Sequence, residues 1–169
     1  MVEELKEELE RTFKEVSARQ AEEDRLVVTS GREQALAVLK FLRDKGLDHL
    51  ALISCVDWPD DGELELVYIL TSYLRGPEPT GEERVHVILK TRVPRDEPKF
   101  PTAVNIFRNA EPYEREIHEF FGVEFEGHPR PTHLILDRDY EVPPFRKDFD
   151  TRKYVEEFFD RVPFVEGEG

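Results

Sequence analysis

The sequence predicts an α+β fold: a small mixed β-sheet with helices packed on one face, followed by an extended C-terminal arm. Three observations carry this reading. Stretches with helical periodicity stand apart from runs that alternate like strands. Their order is βα, then a β-meander, then a further helix, an order that packs helices against one sheet rather than around it. After Phe125 the texture changes, because Pro129, Pro131, Pro143, Pro144 and Pro163 interrupt any long element. At 169 residues the chain makes one domain with enough length to bury a core.

The elements follow in order. Val2, Leu5, Leu9, Phe13 and Val16 recur at helical spacing, so residues 1–17 read as an amphipathic helix. Leu26-Val27-Val28 is a short strand. Ser30-Gly31-Arg32-Glu33 has the spacing of a capping box, and Ala35, Leu36, Leu39 and Leu42 continue a helix from it. Gly46 suits the left-handed stop. "HLALISCVDW" reads as a buried strand, and "ELELVYILTSY" and "RVHVILKTRV" alternate as two more. Residues 74–84 between the last two carry Gly76, Pro77, Pro79 and Gly81, the composition of a long hairpin loop. "TAVNIF" fits no element firmly. Within the tail only Arg152 to Phe159 has helical spacing. The expected organisation is an N-terminal helix over 1–17, the α+β domain over 18–135 and a docking arm over 136–169.

Composition narrows the function. The net charge of −14 repels phosphate backbones and anionic lipid heads, so nucleic acid is not an expected partner. The acidic N-terminus has no apolar core of a signal peptide, and the longest apolar run is too short to cross a bilayer. A cytoplasmic location without direct membrane insertion is therefore expected. Cys55 is the single cysteine, so the chain alone forms no internal disulfide and ligates no cysteine-held cluster. Heavy charge with few Asn, Gln, Met and Cys residues is a composition found in thermophiles.

The densest chemistry lies in residues 114–129, "EREIHEFFGVEFEGHP". Tyr113, Ile117, Phe120 and Phe121 form one helical stripe. Glu111, Arg115 and Glu119 fall on another face, spaced for a charge ladder. Pro112 suits the first turn, and Gly122 can end the helix. A solvated, salt-bridged helix thus accounts for Glu114, Glu116 and Glu119. A metal site is a rival, built on Glu114, His118, His128 and His133. Against it, His118-Glu119-Phe120-Phe121-Gly122 has glycine where a zincin needs its second histidine. A metallohydrolase using paired carboxylates is a further rival, but carboxylates are common in any acidic protein. There is no glycine-rich phosphate loop and no G-x-S-x-G.

Linked motifs give a sharper reading. Glu114-Arg115-Glu116, Glu119, Phe120-Phe121 and the run from Gly122 to His128-Pro129 lie in order. Val56-Asp57-Trp58 precedes them, and Pro144-Phe145-Arg146-Lys147-Asp148-Phe149 follows. This series resembles the C subunit of the proton-translocating type-1 NADH:quinone oxidoreductase, respiratory complex I. The resemblance runs from about Leu50 to Phe149. It departs from the family pattern at Thr132-His133, where a basic pair is usual, and at Pro112, where tryptophan is usual.

The resemblance implies a structural and assembly component of the peripheral arm, on the cytoplasmic side of the cell membrane. Such a component sits beside the quinone-site subunit and near the cluster-bearing subunit. It implies no catalytic residue, metal or cofactor of its own, FMN and iron–sulfur clusters being held by partner subunits. The complex as a whole passes electrons from NADH to quinone and pumps protons. Interface residues are expected among Glu114, Arg115, Glu116, Glu119, His128, Pro129, Phe145, Arg146, Lys147, Asp148 and Phe149. Arg115 and the carboxylates would either face a neighbour or lock the turn that follows. The alternative is a homologous subunit of a membrane-bound hydrogenase-type complex. Seven of the chain's eighteen aromatic residues lie between Tyr140 and Gly169, which suits an arm that packs on something.

Overall fold

A five-stranded sheet forms the centre of the molecule, in the order β1-β2-β5-β4-β3. The strands are β1 (Val16–Glu22), β2 (Arg25–Ser30), β3 (His49–Trp58), β4 (Glu63–Thr71) and β5 (His86–Pro94). β2 and β5 run parallel and the other neighbours antiparallel, so the sheet is mixed as the sequence predicts. The computed structural model describes residues 2–72 and 85–158. The expected hairpin loop over 74–84 and the end of the arm beyond residue 158 lie outside the described residues.

Alternation fixes the faces. Leu64, Leu66, Tyr68 and Leu70 of β4 are fully buried, and Val87 and Leu89 of β5 lie on the same side. They meet Leu9 of α1 (Val2–Thr12), Leu39 and Leu42 of α2 (Ala35–Asp44) and Ile117 of α3 (Ala110–Phe121) in one core. The opposite side of the sheet is wetter and carries ion pairs, among them Lys90 and Arg92 of β5 with Glu65 of β4. A short parallel pair, β6 (Lys99–Pro101) and β7 (Glu124–Glu126), ties the chain before α3 to the chain after it. α4 (Thr151–Phe158) lies within a residue of its expected place.

Two local expectations are corrected, and one unassigned stretch is resolved. The first helix stops at Thr12, and Val16, expected to continue it, opens β1. β1 was invisible to periodicity because it is an edge strand with only Ala18 buried. The Ser30–Glu33 capping box does not form. The Ser30 hydroxyl donates to the Gly31 carbonyl instead, and α2 starts after Gln34 with no side-chain cap. "TAVNIF" is a turn, closed by Ile106 N–H and Phe107 N–H donating to the Ala103 carbonyl. The expected stop at Gly46 holds: it has φ 97°, and Leu47 N–H reaches back to the Leu42 carbonyl.

Candidate partner-docking site

Helix α3 organises the region. It ends at Gly122, whose φ of 78° is left-handed, and Gly122 N–H donates to the His118 carbonyl at 2.8 Å. The predicted stripe holds: Ile117 and Phe120 are buried, while Tyr113 and Phe121 pack on the core from its edge. The Tyr113 hydroxyl and Asn109 Nδ2 donate to the carbonyls of Ala51 and Leu50, clamping α3 to β3.

The predicted solvated face needs correction. Of its three carboxylates only Glu116 is exposed. Glu114 has no exposed surface and Glu119 only 7%. A buried carboxylate needs donors, and each finds them in a neighbouring segment. Glu114 accepts Ala103 N–H at 2.7 Å and the Thr102 hydroxyl, fixing the turn before α3. Burial pushes its carboxyl up to about 7, although these two hydrogen bonds pull the other way. Glu119 accepts the N–H groups of Leu134, Ile135 and Leu136 at 2.9 to 3.2 Å.

Arg115 does not build the expected ladder with Glu119. Its Nε donates to the Thr132 carbonyl at 2.9 Å and its Nη2 to the His133 carbonyl, while Glu111 lies 3.5 Å from Nη1. Of the two roles open to Arg115 and Glu119, the geometry shows locking: they hold residues 132–136 against α3. Thr132 and His133 take part mainly through their backbone carbonyls. Replacing Glu119 by Ala strands three N–H groups; a loss of about 2 kcal/mol is expected from urea unfolding, since charge-assisted bonds contribute more than neutral ones.

The histidines are occupied locally. His128 Nδ1 accepts Arg130 N–H at 3.1 Å, so its Nε2 carries the proton and donates to the Glu111 carbonyl, also at 3.1 Å. His118 Nδ1 faces the Val123 carbonyl at 2.8 Å. His133 pairs with Asp139 at 2.9 Å. Among the described residues, no three His, Cys, Asp or Glu side chains come together to hold a metal ion. Pro129 is exposed in the turn after Gly127. Cys55 is buried; desolvation, then the Asp57 charge, pushes its thiol up to about 12, far from nucleophilic use.

The arm motif lands on the same end of the domain. Phe145 N–H donates to the Phe120 carbonyl at 3.0 Å, and its ring stacks on Phe120 with centroids 4.1 Å apart. Arg146 Nε donates to the Phe121 carbonyl at 2.8 Å, capping the end of α3. Lys147 N–H donates to Asp57 at 2.8 Å, and the Lys147 ammonium lies 5.4 Å from the Trp58 ring centroid. Arg95 grips Asp57 with two bonds of 2.7 and 3.2 Å and reaches Asp148 at 2.6 Å. Burial alone would raise the Asp57 carboxyl, but the bonds from Arg95 and Lys147 outweigh it and hold its pKa below the usual value. Phe149 packs edge-on against Tyr140, with centroids 6.0 Å apart.

The clamp works because the Gly122 turn leaves room for it. A Cβ at Gly122 would lie 3.0 Å from Pro143 Cγ and 3.2 Å from Arg146 Nη2, at a φ that side chains rarely adopt. Gly122→Ala should therefore cost about 1–2 kcal/mol in thermal unfolding, mostly from the left-handed backbone.

Sequence reasoning missed Arg95, the N–H groups of residues 134–136, and the outcome of the clamps. Leu134, Ile135 and Phe145 are held by their backbones, yet their side chains are 40%, 66% and 56% exposed. All three are tied to the C-terminal part of α3, Leu134 and Ile135 at Glu119 and Phe145 at Phe120. Hydrogen-bonded backbone under exposed apolar side chains is an arrangement that suits protein docking. Among the described residues no helix is long and apolar enough to cross a membrane.

Comparison with known proteins agrees with the motif reading. Residues 28–155 match the family described as respiratory-chain NADH dehydrogenase, 30 Kd subunit. The chain is 36% identical over 121 residues to the C subunit of the F(420)H(2) dehydrogenase of Methanosarcina mazei, covering 70% of this chain and 72% of that protein. It is 33% identical over 149 residues to the C subunit of the NADH-quinone oxidoreductase of Rhizobium rhizogenes, covering 86% and 70%. Among solved structures, a chain of the membrane-bound sulfane sulfur reductase, an archaeal respiratory membrane complex, superposes with a TM-score of 0.81. That match has 29% identity and covers 98% of this chain and 95% of that one. The trypsin-resistant fragment of Nqo5 superposes with a TM-score of 0.63 at 26% identity, covering 77% and 99%. The chain belongs to the 30 Kd subunit family of the respiratory-chain NADH dehydrogenase.

Proposed function

We propose that this chain is a cofactor-free docking component in the peripheral arm of a proton-translocating NADH:quinone oxidoreductase. It would sit on the cytoplasmic side of the membrane, against the quinone-site subunit and near the cluster-bearing subunit. FMN and iron–sulfur clusters belong to other subunits in this reading, and NADH oxidation and quinone reduction occur there. The observation that carries it is what the family motifs do. They bind one another, through Asp57–Arg95–Asp148, Arg146–Phe121, Arg115–Thr132 and Glu119–Leu134, and leave Leu134, Ile135 and Phe145 facing outward. A surface built this way suits the positioning of neighbouring subunits.

A second reading has its own support. The sulfane sulfur reductase chain superposes over 98% of this chain with a TM-score of 0.81, and the F(420)H(2) dehydrogenase subunit shares 36% identity over 121 residues. The same docking role could thus serve a related membrane-bound complex with a different electron donor or acceptor.

Affinity purification of the tagged chain from detergent-solubilised native membranes tests both. Co-elution with quinone-site and cluster-bearing subunits, together with NADH oxidation, is expected. Co-elution with such subunits but without NADH oxidation would move the assignment to the related complex. Elution of the chain alone would defeat both.

A further inference from the structure

Beyond the clamps, the arm forms a second structure of its own. Tyr140, Phe149 and the α4 residue Tyr154 make a cluster of rings with centroid separations of 5.0, 5.7 and 6.0 Å. Tyr140 and Tyr154 also share a hydrogen bond. The rings line a cleft of about 270 Å³ between the arm and α4. That is below the usual size of a cofactor pocket and suits a single long side chain.

The charge of the walls indicates which side chain. Asp139, Glu141, Asp148, Asp150 and Glu157 line the cleft, against only Arg138 and Lys153. Five acids and two bases leave a formal charge of −3. Some of these charges are engaged: Arg138 lies against Asp137, Asp148 against Arg95 and Asp139 against His133. Asp150 caps α4 through Lys153 N–H. Glu141 and Glu157 stay exposed at the walls. Aromatic faces together with uncompensated carboxylates attract a cation, and a guanidinium can stack on a ring while it donates to a carboxylate.

We propose that this cleft receives one arginine or lysine side chain from a basic segment of a neighbouring subunit. The proposal rests on the docking function above and adds the chemistry of the partner. It also gives a use to three aromatics of the arm, Tyr140, Phe149 and Tyr154, as walls for a partner's charged side chain.

Two measurements test it. First, N-acetyl-arginine amide is titrated into the full chain while the ring resonances of the tyrosines and phenylalanines are followed by NMR. Saturable shifts at Tyr140, Phe149 and Tyr154 are expected, with N-acetyl-leucine amide at least tenfold weaker. No saturation, or equal binding of the leucine probe, overturns the proposal. Second, complex from native membranes carrying Glu141→Gln and Glu157→Gln is washed with increasing salt. This pair keeps every ring, so it guards against loss of the arm fold, which Tyr140→Leu with Phe149→Leu could cause. The chain should leave the complex at lower salt than wild type, with at least a tenfold weaker hold. Unchanged retention of the chain carrying Glu141→Gln and Glu157→Gln overturns the proposal even if the arginine probe binds. A wild-type chain found in no complex would instead defeat the docking function, and the probe titration would still judge the cleft.

Discussion

Replacing Asp57 by Ala is expected to destabilise the chain by about 3–5 kcal/mol, the cost of breaking a buried pair from one side. Asp57 is 3% exposed and accepts two bonds from Arg95 and one from Lys147 N–H. Without it the Arg95 guanidinium, itself only 18% exposed at the side chain, keeps only Asp148. The effect should be local first. Residues 143–149 lose their tie to β3 and become open to protease before the sheet unfolds. Limited proteolysis with mass mapping, followed by urea unfolding, would show this order. Asp148→Ala is the control: Asp148 is 54% exposed, so its removal should cost less than about 1 kcal/mol. Equal costs for the two would mean that Arg95, rather than Asp57, anchors the arm.

The second large effect is a pH dependence carried by Glu114. Its carboxyl holds a proton up to about 7, against an ordinary value of 4.5, because it is buried. The groups around it add little relief. Glu111 is a second acid, Tyr68 is a buried phenol, and His128 lies 3.9 Å away with its proton directed to a carbonyl. The folded carboxyl binds its proton more tightly than the unfolded one. Stability from this group is therefore whole below pH 4.5 and is lost as the pH rises through about 7. The loss should amount to about 3 kcal/mol. Other acids also titrate, so the informative quantity is the difference from Glu114→Gln, which keeps an acceptor for Ala103 N–H but cannot ionise. Urea unfolding at pH 5 and pH 8 should show wild type losing more than the variant. Parallel curves would mean that Glu114 ionises without cost.

The fold was legible where burial follows period. β4 and β5 alternate cleanly because one side faces the core, and α3 could be read from its stripe and from Gly122. β1 was not legible, since a polar edge strand gains its place from hydrogen bonds to β2. The site was half legible. The motifs were identified as belonging together, and the structure brings Asp57, α3 and residues 145–149 to one end of the domain. Their internal use was hidden. Glu114 and Glu119 look like solvated helix carboxylates until Ala103 N–H and the N–H groups of residues 134–136 are brought to them by the fold. Arg95 had no signal at all, because its partner Asp57 is 38 residues away.

The most direct test of the docking role is site-specific photocrosslinking in native membranes. A photoreactive phenylalanine analogue is placed at Ile135 and at Phe145, with exposed Glu33 in the turn before α2 as the control position. Adducts joining positions 135 and 145 to a neighbouring subunit of a membrane complex, and none from position 33, are the expected result. Adducts confined to this chain, or equally frequent from all three positions, would contradict a docking surface at the end of α3.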